Sequence, residues 1–270
     1  MDYYTSVRFF FKNLNPWAPS GPPSGGQGFR MEQEPAPQGH FRPTPTASVM
    51  PTHQQRLKKF VEEVTLYPVS CERLARGRSD LQWLEAVLAG GAKIVQLRDK
   101  ESDGRRLLEK AKVFRQKTRE AGALFIVNDR VDIALLSDAD GVHLGNEDIP
   151  AAEVRRFAPD LLIGISCNTE EQAASAEERG ASYFNIGPIF ATGTKSGLKA
   201  FLGPAAIRTF SARCGLPCTV MGGIKKEHIA ELIAHGARRL AVVTALTEAE
   251  DMAAETASWL AAIRGQLTLP

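Results

Sequence analysis

The sequence predicts a (β/α)₈ barrel. Three observations carry that expectation: eight short apolar runs rich in Val and Ile recur along the chain, amphipathic segments separate them, and no GxGxxG follows the first run. Near-continuous apolar runs suit parallel strands covered on both faces, and the intervening segments suit crossover helices. A doubly wound dinucleotide fold wants the glycine fingerprint after its first strand, where "VSCERLARGRSD" stands instead. Eight units in roughly 210 residues fit a barrel better.

The runs are "TLYPVS", "KIVQL", "LFIVN", "DGVHL", "LLIGIS", "YFNIG", "CTVMGG" and "RLAVV". "HQQRLKKFVEE", beginning at His53, reads as an amphipathic helix ahead of the first strand, placed to cover the barrel bottom. Asp103–Gly122 and Thr169–Ala181 read as crossover helices, the first stopped by Gly122 and the second opened by a Thr N-cap with acids in its first turn. Residues 1–55 hold nine of the sixteen prolines and show no period, so they read as a disordered tail before a barrel domain at 56–270. Met31 and Met50 lie within that tail and offer later translation starts.

Composition narrows the function classes. With 43% hydrophobic and 24% charged residues, the chain reads as a soluble globular protein, and no apolar run approaches a membrane span. Residues 1–56 carry five basic and three acidic side chains, which leaves 28 of each sign for the rest. A neutral body lacks the concentrated basic face of a nucleic-acid binder. Cys71, Cys167, Cys214 and Cys218 show no CxxC pairing, and the start has no secretory h-region, so reduced thiols in a cytoplasmic protein are expected.

In a barrel, residues just past each strand collect on one rim. Those residues here are Gln96, Arg98 and Lys100; Asn128 and Asp129; Asn146 and Asp148; Ser166; Thr192, Thr194 and Lys195; Gly222 and Gly223; and Val243 with Thr244. Asp129 alone would serve as a helix cap or a partner for Arg130. Together with Asp148 from the next strand it suits Mg²⁺, which takes one or two carboxylates and completes its shell with water and phosphate oxygens. Arg98 and Lys100 alternate with Asp99, share a face at strand period, and suit a diphosphate. "GPIFATGTKSG" suits a loop closing over an anion, although its spacing is not that of a Walker loop. Backbone N–H groups at Gly222, Gly223 and Thr244 follow strands seven and eight, the usual monophosphate site of a barrel. His143 reads as a core histidine and receives no chemical step; Cys167 carries no sign of activation.

At these residues the chain resembles the thiamine-phosphate synthase family. "VQLRDK", "VNDRVDIALLSDADGVHLGNEDIP", "IGIS", "GPIFATGTK", "GGI" and "AVVTAL" occur in that family's order over about residues 65–250. The resemblance implies that Gln96, Arg98, Lys100 and Asn128 hold a pyrimidine diphosphate, that Asp129 and Asp148 bind Mg²⁺, and that Ser166 faces the pyrimidine. It implies further that Thr192, Thr194 and Lys195 contact diphosphate and thiazole phosphate, and that Gly223 with Val243 and Thr244 holds the thiazole phosphate. Arg98, Lys100 and Lys195, with Mg²⁺, would neutralise the departing pyrophosphate while the thiazole nitrogen attacks the pyrimidine methylene. The chain departs from the family pattern at Gly193 (often proline), Asn146 (glutamine), Asn168 (histidine), Thr244 (serine) and Cys71 (aspartate). The alternatives are a thiazole tautomerase of the same superfamily, an isomerase of sugar or indole phosphates, and a non-catalytic paralogue that binds thiamine phosphate. The expected partners are small molecules rather than nucleic acid or membrane, and the sequence leaves a homo-oligomer open.

A chain shortened to begin at Met50 retains the His53 helix and every candidate site residue. It is expected to fold and turn over like the full chain; insolubility or loss of most activity on such a truncation would show that the tail supports the barrel.

Overall fold

The computed structural model describes residues 51–192 and 201–268. Its eight strands are β1 (Leu66–Pro68), β2 (Ile94–Leu97), β3 (Leu124–Asn128), β4 (Gly141–Leu144), β5 (Leu162–Cys167), β6 (Tyr183–Ile186), β7 (Cys218–Met221) and β8 (Leu240–Val242). Every neighbouring pair is parallel, in the order β1-β8-β7-β6-β5-β4-β3-β2. The ends meet through a parallel bridge between Val69 and Gln96, where Ser70 N–H donates to Gln96 O at 2.9 Å. All eight apolar runs thus form strands.

The helices are α1 (His53–Glu63), α2 (Asp80–Ala89), α3 (Gly104–Glu120), α4 (Val131–Leu136), α5 (Ala151–Phe157), α6 (Glu170–Ala174), α7 (Ala205–Ser211), α8 (Ile229–Ala234), α9 (Thr244–Thr247) and α10 (Met252–Leu267). No helix among the described residues is long and apolar enough to cross a membrane. α3 occupies nearly the whole segment expected for it. α6 is far shorter than the Thr169–Ala181 reading: Thr169 caps it, but the Ser175 hydroxyl donates to Glu171 O at 3.0 Å, and the chain tightens into turns through residues 175–180. A serine that bonds back to the preceding turn competes with helix continuation.

The compositional boundary at residue 56 falls inside α1, which starts at His53 under a reciprocal capping box between Thr52 and Gln55. α1 closes the bottom of the barrel. Phe60 is fully buried there with its ring centroid 4.6 Å from that of Tyr183. The Arg239 guanidinium stacks 5.0 Å over Phe60 and donates to Phe60 O and Val61 O. Arg56 donates to Asp140, which also accepts from Arg115 and from Phe125 N–H. Buried charges are tolerated when each lone pair is satisfied in this way.

Strand register divides the core into two. Outward side chains such as Val95, Phe125, Val142, Ile163, Phe184 and Val220 pack against the helices. Inward side chains form layers of four from alternate strands. Uppermost are Val69, Asn128, Ser166 and Met221; next come Gln96, His143, Asn185 and Ala241; below them lie Tyr67, Ile126, Gly164 and Thr219. The interior therefore turns polar just under the C-terminal mouth. Gly164 is the gap in the third layer: a methyl group there would overlap the Tyr183 ring and the His143 imidazole, both fixed by packing.

Gly164→Ala is accordingly expected to destabilise the fold by about 1–3 kcal/mol, the usual cost of overfilling a packed core. Urea denaturation checks this, and unchanged stability would mean that Tyr183 moves aside freely.

Candidate active site

The expected rim residues that are described lie at or just under the C-terminal mouth, but Gln96, Asn128 and Ser166 belong to β2, β3 and β5 rather than to the loops past them, because the ladder continues through these polar positions. Asp129 directly follows β3 in the left-handed backbone region at φ 60°, unusual for a residue with a side chain. Its N–H donates to His143 O at 2.8 Å, and Arg130 N–H donates to Asn128 O at 2.7 Å, which holds the turn. Asp148, in the loop after β4, accepts from Gly145 N–H at 2.6 Å. Burial raises the Asp129 pKa, and the Asp148 carboxylate beside it adds to the effect against the pull of Lys100. Two carboxylates sharing a half-buried space with net negative charge form a donor set that a hard cation would relieve. Among the described residues no group of three or more His, Cys, Asp or Glu side chains gathers as a softer metal would require. The donors fit Mg²⁺ with most of its shell left for water and phosphate.

Lys100 ion-pairs directly with Asp129, so the second cation of the β2–α3 loop meets the acidic pair itself. Arg98 takes another direction. Its N–H donates to Ser70 Oγ at 3.1 Å, and its guanidinium approaches Cys71 Sγ at 4.0 Å. The loop carrying both cations is held from below by Asp99, which accepts from Glu101 N–H, Ser102 N–H and the Ser102 hydroxyl. Lys110 of α3 ties this loop to the β1–α2 region: its ammonium donates to Asp99 at 2.6 Å, Asp80 at 2.7 Å and Glu72 at 2.9 Å. Burial works against the ionised Asp99, but the bonds from Lys110, Ser102 and Glu101 outweigh it and hold the carboxyl well below the usual range. Sequence reading passed over Lys110 because a lysine on an amphipathic helix ordinarily faces solvent.

The loop leaving β6 rests on the turn after β7. Ile189 N–H donates to Met221 O and Phe190 N–H to Gly222 O, both at 2.9 Å. Gly222 and Gly223 have φ of 108° and 61°, and a side chain at Gly223 would strike Ala191 O. Glycine is thus demanded twice over, by backbone sign and by space. Thr192 lies at the end of this described stretch; Gly193, Thr194 and Lys195 lie outside the described residues. Val243 and Thr244 follow β8, where Thr244 opens the short α9. Arg78 fastens that corner by donating to Thr247 O at 2.7 Å and Ala249 O at 2.6 Å.

Two of the departures from the family pattern touch each other. Asn146 Nδ2 donates to Asn168 Oδ1 at 2.9 Å, and Asn168 Nδ2 donates to Gly187 O at 2.5 Å, linking the rims of β4, β5 and β6. Beneath the rim, Ser166 Oγ lies 3.2 Å from His143 Nε2, and Gln96 Nε2 donates to Tyr67 Oη at 2.9 Å. Burial pushes the His143 pKa down to about 4, so its imidazole is neutral. Tyr67, Tyr183 and Asn185 also belong to this polar interior; sequence reading left them unmarked because an aromatic residue in an apolar run reads as core, although Asn185 at strand period offered a signal.

The fold and this rim define a (β/α)₈-barrel protein whose site joins an acidic pair to cations and glycine-rich turns, a set suited to phosphorylated ligands. A family model described as thiamine monophosphate synthase matches residues 66–246. The chain is 43% identical over 190 residues to a thiamine-phosphate synthase of Moorella thermoacetica, covering 70% of this chain and 90% of that protein. It is 44% identical over 184 residues to the thiamine-phosphate synthase of Chlorobium luteolum, covering 68% and 87%. The solved structure of a thiamine phosphate pyrophosphorylase from Pyrococcus furiosus superposes with a TM-score of 0.70 at 35% identity, over 76% of this chain and 97% of that one. The chain belongs to the thiamine monophosphate synthase family. A 3-hexulose-6-phosphate synthase at 18% identity and TM-score 0.54 shares the fold alone.

Removing the Lys110 ammonium leaves three carboxylates facing one another, and Lys110→Met is expected to cost about 3–5 kcal/mol at pH 7, as for other broken buried pairs. Because the folded pKa of Asp99 is depressed, its contribution is full above the unfolded value near about 4 and fades as pH falls toward the folded value. The deficit of the variant should therefore narrow below about pH 4. Denaturation curves at pH 7 and pH 3 check this; a deficit independent of pH would rule out the ionic clamp.

Proposed function

We propose that this chain is a transferase that joins 4-amino-2-methyl-5-hydroxymethylpyrimidine diphosphate to 4-methyl-5-(2-phosphoethyl)thiazole, giving thiamine phosphate and pyrophosphate. Family membership supports the reaction, and one structural observation supports its chemistry: the Asp129–Asp148 pair lies within reach of Lys100, at the mouth that also carries Arg98. In the reaction the bond between the pyrimidine methylene carbon and the diphosphate oxygen breaks, and the thiazole nitrogen forms the new bond to that carbon. The leaving group takes the electron pair, so catalysis calls for anion stabilisation and alignment of two substrates more than for proton transfer.

Mg²⁺ held by Asp129 and Asp148 would neutralise charge on the departing diphosphate. Arg98 and Lys100 offer a fork and a point charge to the same oxygens. Lys195 and Thr194, which follow Thr192 in the sequence, would extend that set to the thiazole side. Asn128 and Ser166 stand in the uppermost interior layer, where the pyrimidine ring would rest, and the Gly222–Gly223 turn with Val243 and Thr244 would receive the thiazole phosphate. A tautomerase working by proton transfer needs a free base, and both ring nitrogens of His143 are already occupied by Tyr183 and Ser166. The site belongs with the small-molecule chemistry of a cytoplasmic biosynthetic enzyme.

Incubating the protein with both substrates and Mg²⁺ is expected to release thiamine phosphate and pyrophosphate in equal amounts; thiazole isomerisation without coupling would favour the tautomerase. Asp129→Asn and Asp148→Asn should each abolish turnover at low Mg²⁺ and regain part of it at high Mg²⁺. Lys100→Ala should lower kcat by about tenfold or more, corresponding to about 1.4 kcal/mol of transition-state stabilisation. A change in KM alone would mark it as a ground-state contact.

A further inference from the structure

The barrel interior holds a continuous hydrogen-bonded chain whose inner links, Tyr67, Tyr183 and His143, have no part in the proposed chemistry. It runs from Gln96 Nε2 to Tyr67 Oη at 2.9 Å, to Tyr183 Oη at 2.8 Å, to His143 Nδ1 at 3.2 Å, and from His143 Nε2 to Ser166 Oγ at 3.2 Å. Tyr67, Tyr183, Gln96 and His143 are all buried, with Tyr183 fully so. Tyr183 starts low in the barrel, and its hydroxyl reaches the imidazole through the space that Gly164 leaves open. Both ends of the chain come up under the mouth, Gln96 in the second layer and Ser166 in the first.

Proton counting gives this chain one direction. The Gln96 amide donates to Tyr67, so the single Tyr67 proton goes to the only other oxygen in its reach, that of Tyr183. The Tyr183 proton then goes to His143 Nδ1. A neutral imidazole that accepts at Nδ1 must carry its proton at Nε2, and that N–H donates to Ser166 Oγ. Ser166 is left with an O–H to give, and Gln96 Oε1, which accepts nothing among the described residues, is left with lone pairs to offer. With the Gln96 amide turned so that its nitrogen faces Tyr67, the reverse direction would leave the buried Tyr67 proton without an acceptor, at the cost of an unsatisfied polar group.

We infer that Tyr67, Tyr183 and His143 are positioning residues that set Ser166 as a donor and Gln96 as an acceptor, so that the site selects an amino-substituted pyrimidine over its oxo analogue. This inference rests on the proposed reaction for the identity of the substrate. A 4-aminopyrimidine presents N–H groups beside a ring nitrogen with a free lone pair, which match an acceptor and a donor. The 4-oxo analogue presents a carbonyl beside a ring N–H and meets the same two groups with polarity reversed. A site committed by buried hydrogen bonds rejects the mismatched ligand by leaving partners unpaired.

Two measurements test the inference without turnover. In ¹⁵N-histidine-labelled protein, the His143 resonances, assigned by their loss in His143→Gln, are expected to show a neutral ring protonated at Nε2. A proton at Nδ1 or on both nitrogens in the unsubstituted protein overturns the inference, whether or not any variant folds. Calorimetry with Mg²⁺ and each pyrimidine diphosphate, without thiazole phosphate, then gives the preference for amino over oxo. Tyr183→Phe frees the imidazole to change tautomer, and the preference should fall by about tenfold or more, the scale expected for one mispaired buried hydrogen bond. Tyr67→Phe, a second cut in the same chain, should act in the same sense. If both variants bind the two ligands more weakly in equal proportion and His143 keeps its tautomer, the tyrosines only support packing and the inference fails. Failure of the proposed reaction would show separately, as absence of thiamine phosphate from the unsubstituted protein.

Discussion

Closure of the parallel ladder is the constraint from which the rest of this structure follows. Once Val69 bridges Gln96 and Ser70 N–H reaches Gln96 O, no strand edge remains and all eight strand ends point to one mouth. Closure also fixes stagger, and stagger decides which side chains share an interior layer. Asp129 and Asp148, separated by 18 residues of sequence that include α4 and β4, become neighbours for that reason alone.

The two ends of the barrel use buried charge differently. At the bottom, the charges of Arg56, Arg115 and Asp140 are matched with one another and with backbone groups, and the arrangement seals α1 against the strands. At the mouth, Asp129 and Asp148 lie together with only Asp129 paired to Lys100, so the charge there stays available to a ligand. Asp129 also sits in a left-handed turn, and such backbone cost is characteristic of a working position. Lys110 belongs to neither end. It holds the loop of Arg98 and Lys100 to the barrel wall, so that two flexible cationic side chains start from a fixed base.

Between the ends, the interior changes from apolar to polar within a few residues of strand. Leu124 and Leu162 lie low with Phe60, whereas Asn128 and Ser166 lie four residues further along the same strands at the mouth. Small residues make this gradient workable. Gly164 admits the Tyr183 hydroxyl, and the hydroxyl in turn gives the buried imidazole a partner. A polar group this deep is tolerated only because each link of the chain is satisfied by the next.

What the sequence by itself determined is what depends on local period and local chemistry. The eight runs, the helix from His53, and the gathering of Asp129, Asp148, Arg98, Lys100 and the Gly222–Gly223 turn on one rim were all legible, because alternation and turn residues act over a few positions. The early end of α6 was less so, since a single hydroxyl bond at Ser175 settled it. Tertiary structure alone decided the meeting of residues from different elements: Lys100 on Asp129, Lys110 among three acids, Asn146 on Asn168, and Tyr67, Tyr183 and His143 in one chain. Those contacts span up to 116 positions and are set by barrel stagger and side-chain reach, neither of which leaves a mark in any short window of sequence.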